Sequence, residues 1–199
     1  ITTAENIEAD DVIGYSAKHV FKDKVTIMST DKDFLQLVDD RISVWSPTKK
    51  KMYDQDKILE EYGISSTNFL LFRTMDGDKS DGIPGIKGAG IKTLLKLFPW
   101  LESPHKFTIE DVLKSAESKK KQFKLCEVIT NSSDQLLLNK KLMDLDEINI
   151  SGSSKLKIQE ICGNPIQRLV KHIFQKKFLE DKLYTALPNL DSWLHTTFN

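Results

Sequence analysis

With 199 residues, 39% of them hydrophobic, the chain can bury a substantial core as one large domain or two small ones. Its 29 basic and 29 acidic side chains sum to a formal net charge of zero, which excludes a uniformly basic nucleic-acid coat protein but allows opposed patches. No apolar run reaches the ~20 residues of a membrane span and no secretory leader pattern opens the sequence, so a cytoplasmic protein is expected. Cys126 and Cys162 have neither metal nor redox spacing and read as free thiols.

In chain order, residues 5 to 21 predict a helix. Ile7, Val12, Tyr15 and Val20 share an apolar side, acids lie near its start, and Lys18 and His19 lie near its end. The β-branched run 24–30 predicts a buried strand, followed by a short helix over 34–38. Ile42 to Trp45 reads as a second strand, Ser46 to Lys50 as a turn, and Lys51 to Tyr53 as a returning strand. Alternating elements of this kind predict an α/β layer with a parallel sheet. Beyond Asp54 the pattern turns helical: 56–62 stopped by Gly63, then 65–75, then 91–98 after a Gly/Pro-rich loop at 77–90. Residues 108–144 read as helical with a break and N-cap at Asn131-Ser132-Ser133. Ser151-Gly152-Ser153-Ser154 reads as a flexible joint, and the tail from 165 to 198 as helical with an interruption at Pro188. No internal repeat is visible.

Acidic residues fall in three groups. Glu8 and Asp11 sit three apart, on one helix face, with Asp10 beside them. The bland alternative is an acidic first turn that complements the helix dipole. Asp31 and Asp33 follow the 24–30 strand, where ligands bind in open parallel sheets; Asp31 could instead cap the next helix. Asp78 and Asp81 precede the glycine-rich loop, where a plain polar turn would serve as well. Seven carboxylates converging on one pocket would repel strongly without cations among them. Hard oxygen donors without His or Cys favour Mg²⁺ or Mn²⁺. Two such ions about 4 Å apart can hold a phosphodiester and activate water. His19, His105, His172 and His195 are scattered and form no motif.

The run Gly85-Ile86-Lys87-Gly88-Ala89-Gly90-Ile91-Lys92-Thr93 matches neither well-known phosphate loop. Ile91 separates Gly90 from Lys92, and Thr93 stands where a dinucleotide fingerprint needs glycine. A hairpin between two helices fits better. Gly85, Gly88 and Gly90 would let the backbone approach a DNA phosphate, with charge from Lys87, Lys92 and Lys96. Such contacts position a duplex without reading its bases. A structural connection between helices is the alternative. Lysine clusters at 49–51, 119–121, 140–141 and 176–177 are solvated faces singly and phosphate contacts together.

Three stretches resemble the 5′ nuclease or flap endonuclease family, which includes the nuclease domains of bacterial DNA polymerase I, phage 5′ exonucleases and the ribonuclease H of T-even phages. They are Glu8-Ala9-Asp10-Asp11, Ser29-Thr30-Asp31-Lys32-Asp33-Phe34, and the run from Gly77 to Gly90. The strand-turn-strand around Ser46-Pro47 looks most like the T-even enzyme. The resemblance implies a PIN-like core over 1–63. A helical region over 64–199 would follow it, with a helix–three-turn–helix element at about 65–100. It implies Glu8, Asp10 and Asp11 around one Mg²⁺, Asp31 and Asp33 bridging, and Asp78 and Asp81 around a second. A K⁺ ion within 80–90 is implied as well. Implied substrates are duplex, flap and fork DNA and RNA–DNA hybrid, cut by a monomer with no membrane contact. A single-strand-binding protein and a sliding clamp are implied partners. The family carries a further catalytic Asp and a basic helical arch upstream of the stretches matched here, so about a hundred more residues are expected before Ile1. Two other readings stay open: a non-catalytic DNA-binding module, and a nucleotide-binding α/β protein.

Overall fold

A computed structural model describes residues 7–147, 150–165, 169–187 and 189–198. The start of the expected 5–21 helix and the expected break at Pro188 lie outside them. The chain divides into two compact units, 1–162 and 163–199.

In the first unit, helix α1 (Ala9–Tyr15) continues through a π-helical turn, Ser16–Val20, into the short loop before strand β1 (Val25–Met28). A 3-10 turn, Asp33–Leu37, leads to β2 (Ile42–Ser46) and β3 (Lys51–Tyr53). The expected parallel sheet is mixed. β1 and β2 are parallel, with Val25 opposite Ile42 and Met28 opposite Trp45. β3 returns antiparallel, with Val44 opposite Tyr53. The turn between β2 and β3 is too short for a parallel crossover, so only a hairpin can join them. Lys50 takes φ +50° to close it. The outer edge of β1 has no partner strand among the described residues.

Arg41, just before β2, fixes the direction of α1. Its guanidinium donates to the carbonyls of Ala17 (2.8 Å), Phe21 (2.9 Å) and Asp23 (3.2 Å). The last carbonyls of a helix lack partners inside it, and a guanidinium satisfies several at once. This pins the far end of α1 to the start of β2. The acidic start of α1 therefore lies toward the end of the sheet where β1 finishes and Asp31 and Asp33 follow. Apolar side chains of α1 and β1, among them Val12, Ala17 and Ile27, line one groove along their length.

Asp54 caps α2 (Gln55–Tyr62), accepting from the Lys57 amide at 2.8 Å, and Gly63 at φ +67° ends it. Glu61 on α2 accepts from Lys49 (3.1 Å), Lys51 and Tyr53 Oη (3.0 Å), tying α2 to the hairpin. Burial would raise the Glu61 carboxyl, but the bonds from Lys51, Lys49 and Tyr53 outweigh it and bring it down from 4.5 to about 2. A lowered carboxyl stabilises the fold fully above the unfolded value of 4.5, and that contribution fades as pH falls toward 2. Glu61→Gln is therefore expected to cost about 1 kcal/mol at pH 7, kept small because solvent screens the partly exposed pair. Urea midpoints should show that gap narrowing at pH 3.

Helix α3 (Phe69–Asp76) buries Phe69, Leu71, Phe72 and Met75 and ends at Gly77. After the 77–90 loop come α4 (Ile91–Leu97), a 3-10 turn at Pro99–Glu102, and α5 (Ile109–Lys119), which opens on a Thr108/Asp111 capping box. Helices α6 (Lys124–Asn131) and α7 (Ser133–Met143) meet at Ser132, where the break was expected. The expected N-cap is not made there. The Ser132 hydroxyl donates back to Val128 O at 2.8 Å instead. One apolar core joins β1, β2, α2, α3, α4, α5, α6 and α7, from Ile27 and Val44 to Phe69, Leu94, Val112, Ile129 and Leu136.

The stretch read as a joint at 151–154 begins α8 (Gly152–Gly163). Ser151 Oγ accepts from the Ser154 amide at 3.2 Å, so its serines start a helix rather than loosen the chain. Cys126 is buried and Cys162 half-buried, both free. The second unit holds α9 (Lys171–Glu180), a 3-10 turn at Leu183–Thr185, and α10 (Leu190–Phe198). Phe174 stacks on Trp193 at 5.9 Å between ring centroids, and Gln175 donates to Asp191. No helix among the described residues is long and apolar enough to cross a membrane.

Candidate functional site

The chain leaves β1 at Met28 and turns at once. The Asp31 amide donates to Ser29 Oγ (3.1 Å), and Asp31 Oδ1 accepts from the Asp33 amide (2.8 Å). Asp31 thus organises the turn without capping the helical turn that follows, whose N-cap is Lys32, and its exposed carboxylate lines a polar pocket. That turn carries the Asp33 side chain inward, to 9% exposure.

The second wall is built by α3 and the loop after it. Gly77 takes φ +75°. The Asp78 amide then donates to Ile83 O at 2.9 Å and the Ile83 amide to Asp78 O at 2.7 Å, closing residues 78–83 into a ring. Gly85 sits against the end of α3, where an added Cβ would lie 1.9 Å from Asp76 O. Helix α7 holds the base of this ring. Asn139 Nδ2, buried, donates to Thr74 O (3.0 Å) and Pro84 O (2.8 Å), and Gln135 donates to Pro84 O (2.7 Å).

These constraints bring Asp33, Asp78 and Asp81 together. Each offers a carboxylate oxygen within 4.8 Å of the others. Asp78 and Asp81 line a polar pocket with Thr30, Asp31, Lys32, Asp76, Lys79 and Ser80, while Asp33 is buried and does not line it. Between the acids lies Arg73, 5% exposed. Its Nε donates to Asp33 Oδ1 at 2.5 Å, its Nη2 to Asp78 Oδ2 at 2.5 Å, and its Nη1 to Gly77 O at 3.1 Å. Burial pushes the Asp33 carboxyl up, and Arg73 only partly offsets it. Asp78 is held down, first by the Ser80 hydroxyl and then by the Ser80 amide and Arg73. Burial disfavours the Arg73 charge, but its bonds to Asp33 and Asp78 win and raise its value.

Glu8, Asp10 and Asp11 form a second acidic group at the start of α1 and do not line this pocket. Burial raises the Asp11 carboxyl, and the charges of Asp10 and Glu8 raise it further. The charges felt by Asp33 come instead from Arg73, Asp31 and Asp78. Of the glycine-rich candidates, Gly85 closes the ring and Gly88 takes φ +91° in the next turn. Gly90 precedes α4 with open space around its α-carbon. Lys87, Lys92 and Lys96 are exposed. Sequence reasoning missed Arg73 and Asn139. Arg73 had a signal, a lone charge in the apolar run Phe69-Leu70-Leu71-Phe72, five residues before Asp78; Asn139 had none.

Comparison with known proteins gives this geometry a context. Residues 1–63 match the family model described as 5′-3′ exonuclease, N-terminal resolvase-like domain. A 5′-3′ exonuclease of Aquifex aeolicus is 30% identical over 183 residues, covering 89% of this chain and 60% of that protein. Flap endonuclease Xni of Pseudoalteromonas translucida is 32% identical over 153 residues, covering 75% of this chain and 56% of that protein. The chain is similar to 5′-3′ exonucleases and flap endonucleases, and residues 1–63 carry the N-terminal resolvase-like domain of the exonucleases.

Solved structures share its fold. A bacteriophage T5 flap endonuclease, in a complex with DNA and metal ions, superposes with a TM-score of 0.68 at 22% identity, over 82% of this chain and 62% of that one. The T5 5′-exonuclease with bound zinc gives 0.67 at 23% identity, over 80% and 60%. The PIN-like exonuclease fold with its mixed sheet is thus common to them. The chain spans about 60% of the length of the Aquifex exonuclease and 17% of DNA polymerase I of Bacillus subtilis, to which it is 34% identical over 160 residues.

Proposed function

We propose that the protein is a structure-specific 5′→3′ exonuclease and flap endonuclease. It would hydrolyse phosphodiester bonds in DNA flaps and RNA–DNA primers during replication and repair. The observation that carries this reading is the convergence of Asp33, Asp78 and Asp81, with carboxylate oxygens within 4.8 Å of one another, beside a polar pocket lined by Asp31, Asp78 and Asp81. Carboxylate oxygens at this spacing, with no His or Cys among them, suit a hard divalent ion, Mg²⁺ with Mn²⁺ as a substitute. Asp33, Asp78 and Asp81, with Asp31 beside them, would hold one ion. Glu8, Asp10 and Asp11, at the same end of the sheet, would hold the other. Such ions supply a hydroxide nucleophile and neutralise charge on the phosphate. The protein's own part is to aim the carboxylates and to seat the strand against the exposed Lys32 and Lys79 at the rim.

Duplex DNA would be held by α3, the 77–90 loop and α4, read as a helix–three-turn–helix element. Lys87, Lys92 and Lys96 would face its phosphates, the backbone of Gly88 and Gly90 would lie close to them, and a K⁺ ion would bind within 80–90. Residues 1–63 would then be the later part of the nuclease core and 64–199 the helical region that grips DNA. A replicative single-strand-binding protein and a sliding clamp are the partners such an enzyme would meet, acting as a monomer.

A labelled 5′-flap substrate tests the reading, with protein expressed from the complete reading frame. Cleavage is expected only with Mg²⁺ or Mn²⁺, and Asp31→Asn should lose most of it while still binding the substrate. Salt-sensitive binding with no metal-stimulated cleavage would identify a non-catalytic duplex-binding module instead.

A further inference from the structure

Arg73 is an unusual neighbour for a metal centre. A guanidinium stays charged at any pH a protein survives, and its planar fork can bridge two carboxylates. Here it bridges Asp33 and Asp78, which lie on different loops 45 positions apart, and its third nitrogen donates to Gly77 O. A fourth acid, Asp76, lies 3.6 Å from Nη1 at the pocket rim. The side chain springs from α3, is 5% exposed, and is held by its bonds to Asp33, Asp78 and Gly77.

The charge balance follows. Three carboxylates within 4.8 Å carry −3, and Arg73 in contact with two of them brings the group to −2. Without that guanidinium the like charges would repel, and one carboxyl would have to take up a proton or move away. With it, and with Asp76 on the same guanidinium and Asp31 at the rim, the group stays net negative and still attracts a divalent ion. We propose that Arg73 is a positioning residue that serves as the cluster's internal counter-charge. It holds Asp33 and Asp78 in place when no metal is bound, and it weakens the affinity of the cluster for divalent ions. The inference rests on the metal-centre reading above and assigns a role within it.

The test uses Mn²⁺ alone, measured by calorimetric titration and by the shift in unfolding midpoint of the full chain, with no substrate present. Arg73→Gln removes the charge and keeps a polar side chain. It should lower the metal-free midpoint, bind Mn²⁺ about tenfold more tightly than the parent, and recover more stability on Mn²⁺ addition. Arg73→Lys keeps the charge and should hold Mn²⁺ affinity within about twofold of the parent, although the fork is lost. A purely structural arginine would lower both midpoints and leave the affinities alike or weaker, which would overturn the inference. Should Arg73→Gln fail to fold without metal, refolding by millimolar Mn²⁺ supports the proposal, and failure to refold overturns it. If the parent binds no Mn²⁺, or binds it equally well with Asp81→Asn, the metal-centre reading falls and the Arg73 role with it. If the parent binds through Asp81 and Arg73→Gln changes nothing, only the Arg73 role falls.

Discussion

Asp81→Asn is expected to reduce metal-dependent cleavage by roughly a hundred-fold or more, the usual consequence of losing one group that stabilises transition-state charge. Its effect on stability should be small. Asp81 is exposed, whereas Asp33 and Asp78 are engaged by the buried Arg73. Replacing either of those would leave a guanidinium short of a partner and mix a folding defect with a chemical one. Asp81 therefore separates the two. Single-turnover cleavage of a labelled flap, beside a thermal melt of the same preparation, checks it. Cleavage within threefold of the parent at an unchanged midpoint would remove Asp81 from the reaction.

The second large effect concerns the backbone. Gly85→Ala places a methyl group 1.9 Å from Asp76 O and 3.0 Å from the Gly77 amide nitrogen, main-chain atoms that no rotamer change can clear. The loop or the end of α3 has to move, and a cost of about 3 kcal/mol or more is expected. Gly90→Ala is the control. Its new Cβ meets nothing within 4 Å, so a change under about 0.5 kcal/mol is expected. Both glycines were singled out by their place in a loop proposed to hold duplex DNA, and denaturant titration of the pair distinguishes them. A large loss at 85 and none at 90 would identify Gly85 as a closure point for the ring and leave Gly88 and Gly90 available for close approach by a phosphate.

Much of this was legible because it is local. Gly63 marks the end of α2 by backbone chemistry that operates within four residues, and β-branched content marks β1 and β2. The acids at 31, 33, 78 and 81 were visible as spaced pairs. The need for cations was inferred from the repulsion that their meeting would create. That inference was incomplete, since a cation is already present in the side chain of Arg73, which reaches Asp33 across 40 positions of sequence. Contacts at such range leave no periodic trace. Asn139, bridging from α7 to Thr74 and Pro84, is invisible for the same reason. The 151–154 stretch failed differently. Serine both loosens a chain and starts a helix, and only the bond from the Ser154 amide to Ser151 decides between them. The antiparallel β3 was visible as a returning strand, yet the mixed sheet it creates was subsumed in a parallel class.

The ring from Asp78 to Ile83 has an implication for how this segment can change over generations. Its two ends are stitched by a reciprocal pair of main-chain bonds, and its base is clamped between Gly77, Gly85 and the amide of Asn139. Lys79 faces outward, while Gly82, at φ +71°, holds a backbone conformation that favours glycine. The count of residues cannot drift, because one insertion or deletion would rotate Asp81 out of reach of its companions. Length, together with the glycine that turns it, is the heritable quantity in this loop.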